Sequence, residues 1–230
     1  MLRPLIALLS LLLLLSGCGE VVTSSTKDAR ILLMGDSMMA ANRAAGRSVA
    51  QGIERQLGEE VIDRSVYAAR MIYILPISGA AGLSIPAQQQ KGNWDWVVMN
   101  GGGNDLVFGC ICGRCDGMVD RLISADATAG AIPALVSRIR KTGAKVVWAG
   151  YLRNPGLFTP IRSCKVYGDE LDRRLARLDA RDPGMIFLPM SDVVPTGDPS
   201  LHQADMVHPS PKGSAAIATR IAAAIRANGG

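Results

Sequence analysis

Asp205 and His208, three residues apart near one end of the chain, and Ser37, near the other, are the residue types from which an activated hydroxyl nucleophile is built. A serine needs a base to take its proton and a carboxylate to orient that base. The chain has only two histidines, His202 and His208. A three-residue separation within a turn lets Asp205 and His208 face one pocket. His202 has no carboxylate at that spacing and reads as a loop residue. Between serine and histidine lies Gly101-Gly102-Gly103-Asn104-Asp105. The Asn104 amide could donate to an oxyanion, and Asp105 reads as a support for its loop. Each cluster also has a plainer reading. Ser37 could cap a helix, the glycine run is strong turn chemistry, and His208 could be a bystander in a loop capping the last helix. Taken together, in the order Ser, Asn, Asp/His, they point to a serine hydrolase site. The nucleophile-elbow pattern Gly-x-Ser-x-Gly is missing, since the run is Gly35-Asp36-Ser37-Met38-Met39, which argues against the α/β-hydrolase fold. A phosphate cradle also finds little support: no Gly-x-Gly-x-x-Gly completes and no P-loop lysine follows.

Positioning such groups calls for strands that end where they stand. Five apolar runs have strand length: 30–34, 60–65, 96–100, 145–150 and 185–190. Four are rich in Val, Ile and Leu without clean alternation, as for strands covered on both faces. Helical spacing is read over 40–57, 117–124, 131–141, 169–179 and 210–228, with a short helix from Pro86 through Gln90. Strands alternating with helices predict a three-layer α/β/α sandwich around a five-stranded parallel sheet, flavodoxin-like in broad terms. Ligands bind such sheets at the carboxyl ends of the strands. Ser37, Ala68, Asn104 and the Asp205/His208 turn all fall just after strand ends.

These motifs resemble those of the SGNH/GDSL hydrolases, a family of serine esterases, lipases and acylhydrolases. Gly35-Asp36-Ser37 matches its first block, with Met38 in place of the usual leucine. Gly102-Gly103-Asn104-Asp105 matches its Gly-x-Asn-Asp block, and Asp205-Met206-Val207-His208 its Asp-x-x-His block. The resemblance implies Ser37 as nucleophile, His208 as base, Asp205 as orienting acid, and an oxyanion hole from Ser37, Ala68 and Asn104. It needs no metal or other cofactor. One block departs: Ala68, in Asp63-Arg64-Ser65-Val66-Tyr67-Ala68-Ala69-Arg70, stands where a glycine is expected. Alanine keeps the backbone N–H, provided φ is negative there; a required positive φ would shift the loop. Arg70 either points into the pocket, favouring anionic substrates, or lies on the surface.

The first seventeen residues carry Arg3, an apolar run from Leu5 to Leu15, and then Ser16-Gly17-Cys18, as in a secretory signal. The ending resembles a bacterial lipobox, which implies cleavage before Cys18 and lipidation of it. Residues 18–28 then form a lipidated cysteine and polar tether, and 29–230 the hydrolase domain. Gly19 after the cysteine favours the outer membrane, with the domain facing the periplasm. In an exported chain Cys110, Cys112, Cys115 and Cys164 are expected to form two disulfides. Cys110–Cys112 is the least suited pair; a four-cysteine zinc site or a redox-active Cys112-Gly113-Arg114-Cys115 are the alternatives. The net charge of +5 is scattered and aromatics are 4% of the chain, which gives little support to nucleic-acid binding or to a sugar-stacking platform. The expected partner is a small-molecule or glycan ester, taken by a monomer. Small acyl esters, among them O-acetylated envelope glycans, lead. A lipase or lysophospholipase is the alternative, against which the sequence offers no long apolar cap. A non-catalytic binding lipoprotein on the same scaffold is the reading motivated by Ala68.

Overall fold

Unalternating apolar runs can be satisfied only by cover on both faces, and the chain supplies it. The computed structural model describes residues 29–73, 75 and 79–229. The readings placed on residues 1–28, Cys18 included, lie outside them. Strands β1 (Ile31–Met34), β2 (Val61–Asp63), β3 (Trp96–Met99), β4 (Lys145–Ala149) and β5 (Met185–Leu188) form one parallel sheet in the order β2-β1-β3-β4-β5. The register runs Leu33 to Val98 to Val147 to Ile186 across four strands. The expected α/β/α sandwich and five-stranded parallel sheet are therefore present. The strands run within a residue or two of the expected bounds.

Helices α1 (Ser37–Ala40), α2 (Val49–Leu57), α3 (Gly103–Cys110), α4 (Asp116–Leu122), α5 (Ala131–Arg140), α6 (Lys165–Asp179) and α7 (Pro211–Ala227) flank the sheet. Successive strand residues point to opposite faces, so each strand feeds two cores. Leu32, Met34, Val97 and Met99 pack with Val119, Leu135 and Leu171 on one side. Ile31, Leu33 and Val98 pack with Ile53, Ile217 and Ile221 on the other.

Two helix expectations need correction. The pattern over 40–57 is not one helix. Asn42 (φ 65°) and Gly46 (φ 70°) adopt left-handed backbone and break it around a short 3-10 turn. It restarts at Val49 behind a capping box in which Ser48 and Gln51 bond each other's backbone. Periodicity alone could not see this, because Ala and Val continue through the break. The glycine run, expected as a turn, instead opens α3, with Gly102 as its N-cap residue at φ 101°. Asn104 thus sits in a first helical turn rather than on a loop.

Four cysteines staple the region after α3. Cys110 pairs with Cys115 and Cys112 with Cys164, which joins the end of α3 to the start of α6.

Candidate functional site

The turn after β1 is held from beneath by buried side chains. Gly35 adopts φ 146° and donates its N–H to Gln88 Oε1 at 2.7 Å, while Gln88 Nε2 donates back to Gly35 O at 2.9 Å. A Cβ at Gly35 would lie 1.9 Å from Asn100 Oδ1, so only glycine fits. Asn100, at the end of β3, is fully buried. It accepts the Asp36 N–H at 3.0 Å and donates to Asp36 Oδ1 at 2.7 Å. Asp36, not Ser37, is the N-cap of α1, accepting the Met38 N–H. Tyr151, just past β4, donates its phenol to Asp36 Oδ2 at 2.5 Å and accepts the Gly103 N–H at 2.9 Å. Burial pushes the Asp36 carboxyl up, against the lowering pull of Tyr151, Asn100 and the Met38 N–H. Burial first, then the Asp36 charge, hold the Tyr151 phenol well above its ordinary value, so it remains a donor.

Ser37 is therefore the first residue of α1, half-buried on the wall of a cavity of about 360 Å³. Asn104 and His208 line the same cavity. Three of the residues read from the sequence are thus brought together at the carboxyl ends of the strands. Asp205 holds His208 from behind. Its Oδ2 lies 2.6 Å from His208 Nδ1, and its Oδ1 accepts the Val207 and His208 N–H groups at 2.9 and 3.0 Å. Burial raises the Asp205 carboxyl, but the ring and backbone bonds from His208, with the Val207 N–H, outweigh it and leave the group below its ordinary value. Met206 between them adopts φ 55°, which lets the chain fold back on itself. The loop is tied to the segment after α1 by Asn42, whose Nδ2 donates to Pro209 O and Ser214 Oγ. Neither the Ser37 hydroxyl nor His208 Nε2 makes a hydrogen bond among the described residues. Hydrogen bonds between catalytic groups are commonly long before substrate binds.

Ala68 is not among the residues that line this cavity, and its conformation is not the expected one. Its φ is 61°, left-handed, so alanine carries a strain that glycine would not. Its N–H donates to nothing among the described residues. Asn104 Nδ2 bonds Ala69 O at 3.0 Å, so the amide is seated beside that backbone. The Tyr67 ring lies 5.7 Å from that of His208, tilted by 43°. Asp105, read as a support for its own loop, instead braces the segment after Ala68: its two oxygens accept the Met71 and Ile72 N–H groups at 2.9 and 2.8 Å. Burial, against those two bonds, pushes its carboxyl up to about 6.

Arg70 does not line the cavity; its guanidinium lies over the Tyr73 ring at 5.0 Å. Arg153 lines the cavity instead, bound to Asp169 and Asp172. His202 is no open loop residue. It is 6% exposed, forms a bridge with Pro209, and burial lowers its pKa against the pull of Asp205. Among the described residues no group of three or more His, Cys, Asp or Glu is arranged to hold a metal ion.

A family model described as GDSL-like lipase/acylhydrolase matches residues 33–216. The chain belongs to this family. It is accordingly a hydrolase acting on ester bonds. Solved structures share the fold of this GDSL-like hydrolase at low identity. A carbohydrate acetylesterase from Sinorhizobium meliloti is 16% identical, with a TM-score of 0.58 over 87% of this chain and 99% of that one. A GDSL-like lipase from Bacteroides thetaiotaomicron is 17% identical, with a TM-score of 0.56 over 86% and 88%. A family two carbohydrate esterase from Clostridium thermocellum, solved with cellohexaose, is 19% identical, with a TM-score of 0.53 over 87% of this chain and 64% of that one. A comparison with curated protein sequences finds no match.

Sequence reasoning missed Tyr151, Asn100 and the apolar side of the GDSL-like hydrolase's cavity. That side is built by Val107, Leu152, Leu157, Ile161 and Leu171. Much of it comes from the connection between β4 and α6, whose residues follow no strand or helix period. Phe158 and Ile111, 86% and 83% exposed, add further apolar surface in the β4–α6 connection and just after α3. The only sequence signal was a scatter of apolar residues in a stretch rich in Pro and Gly.

Proposed function

We propose that this hydrolase cleaves carboxylic esters through an acyl-serine intermediate. Ser37 attacks the ester carbonyl while His208 takes its proton. Asp205 fixes the ring tautomer and stabilises the imidazolium. The backbone N–H groups of Ser37 and Ala68 and the Asn104 amide hold the oxyanion. His208 then protonates the leaving alcohol, and water repeats the sequence on the acyl-enzyme. The observation that carries the reading is the shared cavity. Ser37, Asn104 and an Asp205-held His208 meet in it. Small acyl esters, O-acetylated glycans among them, remain the leading substrates, and the solved carbohydrate esterases of the same fold give that reading company. We place the enzyme on a lipid anchor at Cys18, at the periplasmic side of the envelope, with the outer membrane favoured by Gly19. A second reading, a lipase or lysophospholipase, gains from the apolar cavity wall, which suits an acyl chain longer than acetyl.

Aryl esters from acetyl to long acyl test both readings on the purified chain. Turnover that Ser37→Ala abolishes supports the mechanism. A maximum at acetyl favours the first reading, and a maximum at six or more carbons the second. A folded wild type that turns over none of them sinks the esterase claim.

A further inference from the structure

One phenol touches both halves of the site. Tyr151 donates to Asp36 Oδ2, in the cap of α1 that presents Ser37, and accepts from Gly103 N–H, in the first turn of α3 that presents Asn104. α1 and α3 follow different strands, and Asn100, just ahead of α3, provides a second hydrogen-bonded link to Asp36. The neighbouring positions are fully committed. Asp36 accepts from Met38, Asn100 and Tyr151, and the Gly103 N–H is spent on the phenol. The fit is close: a Cβ at Gly103 would lie 2.7 Å from Tyr151 Cζ and 3.0 Å from its hydroxyl.

We propose that Tyr151 is a positioning residue, a cross-link that sets the spacing between the Ser37 hydroxyl and the Asn104 oxyanion donor. The inference rests on the roles given to Ser37 and Asn104 above. Neither reacting group touches the phenol; it acts through Asp36 and Gly103. Placement matters at this scale, because a misplacement of about 1 Å can cost on the order of a hundredfold in rate. Tyr151→Phe removes the bridging oxygen and leaves the ring that fills the cavity wall. Ester binding should then survive while the tetrahedral step suffers.

The experiment compares the full-length wild type, Ser37→Ala and Tyr151→Phe on one aryl ester, with thermal melting beside the kinetics. Tyr151→Phe should lose about tenfold to a hundredfold in kcat with KM within about twofold. Phosphonylation of Ser37 by an alkyl fluorophosphonate should slow by a similar factor, because it needs the same oxyanion donors. A role in folding alone would lower the melting temperature and leave kcat of the folded enzyme unchanged. Should Tyr151→Phe fail to fold, Gly103→Ala pushes the ring aside from the other partner and should show the same kcat loss. A folded Tyr151→Phe, or Gly103→Ala in its place, with kcat within twofold of wild type overturns the proposal. If the wild type is inactive, or Ser37→Ala keeps turnover, the mechanism on which it rests fails instead.

Discussion

The two sides of the cavity are held by opposite means. The Ser37–Asn104 side rests on buried groups just past β1, β3 and β4 and on Gln88 in a short 3-10 helix. Asp36, Asn100 and Gln88 are each at most 1% exposed. On the Asp205–His208 side a local loop carries the histidine, and one carboxylate orients its ring. The Asp205 side chain is 44% exposed, and its three partners all lie within three residues. Buried long-range bonds are expensive to break and strengthen one another. Exposed local ones cost little to lose and so contribute little to stability. Changes on the loop should therefore strike activity and spare the fold, whereas changes beneath Ser37 should strike both.

Asp205→Asn is the sharpest break of this contrast. The asparagine carbonyl can keep the Val207 and His208 N–H groups, but its NH2 then faces His208 Nδ1 and selects the wrong tautomer. We expect kcat to fall by about four orders of magnitude, with a melting temperature within about two degrees of wild type. Ester kinetics alongside calorimetry checks both halves. A loss below tenfold would mean that Asp205 does not orient the ring.

Asn104→Ala tests the other side with a smaller step. Loss of one oxyanion donor should lower kcat by about 10²–10³. It also removes the bond to Ala69 O, so a modest loss of stability, about 1 kcal/mol, should accompany it in urea titrations. Unchanged kcat in the folded variant would remove Asn104 from the site.

The pH dependence of stability separates the two regions further. Asp105 has a folded pKa of about 6 because burial outweighs its two backbone donors. The unfolded value is near 4. Between these values the folded state binds more protons, so this group lowers stability as pH rises from about 4 to 6. Asp205, held below its ordinary value, has the opposite sign. Its stabilisation is full above its unfolded pKa and fades as pH falls through the folded one. Urea midpoints measured from pH 4 to 7 should fall less steeply, or rise, in Asp105→Asn than in wild type. Parallel curves would show that Asp105 does not titrate in that range.

The same contrast decides what the sequence could reveal. The Asp205–His208 arrangement was legible because its spacing is local and its contacts lie within that spacing. Ser37 and Asn104 were legible because each stands just past an apolar run. The supports under them were not. Tyr151 and Asp36 are 115 residues apart in sequence and meet only because β4 lies one strand from β1, across β3. No periodicity encodes that pairing, so a lone Tyr after a strand carried no signal. The break at Asn42 escaped for a related reason. Its side chain finds Pro209 and Ser214 across the molecule, and that long-range pairing outweighs the local preference for helix.

Ala68 is where sequence and structure pull hardest against each other, and it yields the smallest expected effect. A glycine was the residue to expect there, and the backbone keeps the left-handed conformation that suits glycine, at φ 61°. Relieving the Cβ strain should return about 1–2 kcal/mol, while the freer unfolded chain takes back about 0.5–1 kcal/mol. Ala68→Gly should therefore stabilise the domain by only about 0.5–1 kcal/mol by urea denaturation. Glycine adopts the same φ without strain and keeps the N–H, so kcat should stay within about threefold. A tenfold gain in kcat would show that the alanine mis-sets the oxyanion hole, and that this loop, unlike the floor beneath Ser37, is not held by its surroundings. A destabilised variant would instead mean that the surroundings pack against the Ala68 methyl strongly enough to outweigh its strain.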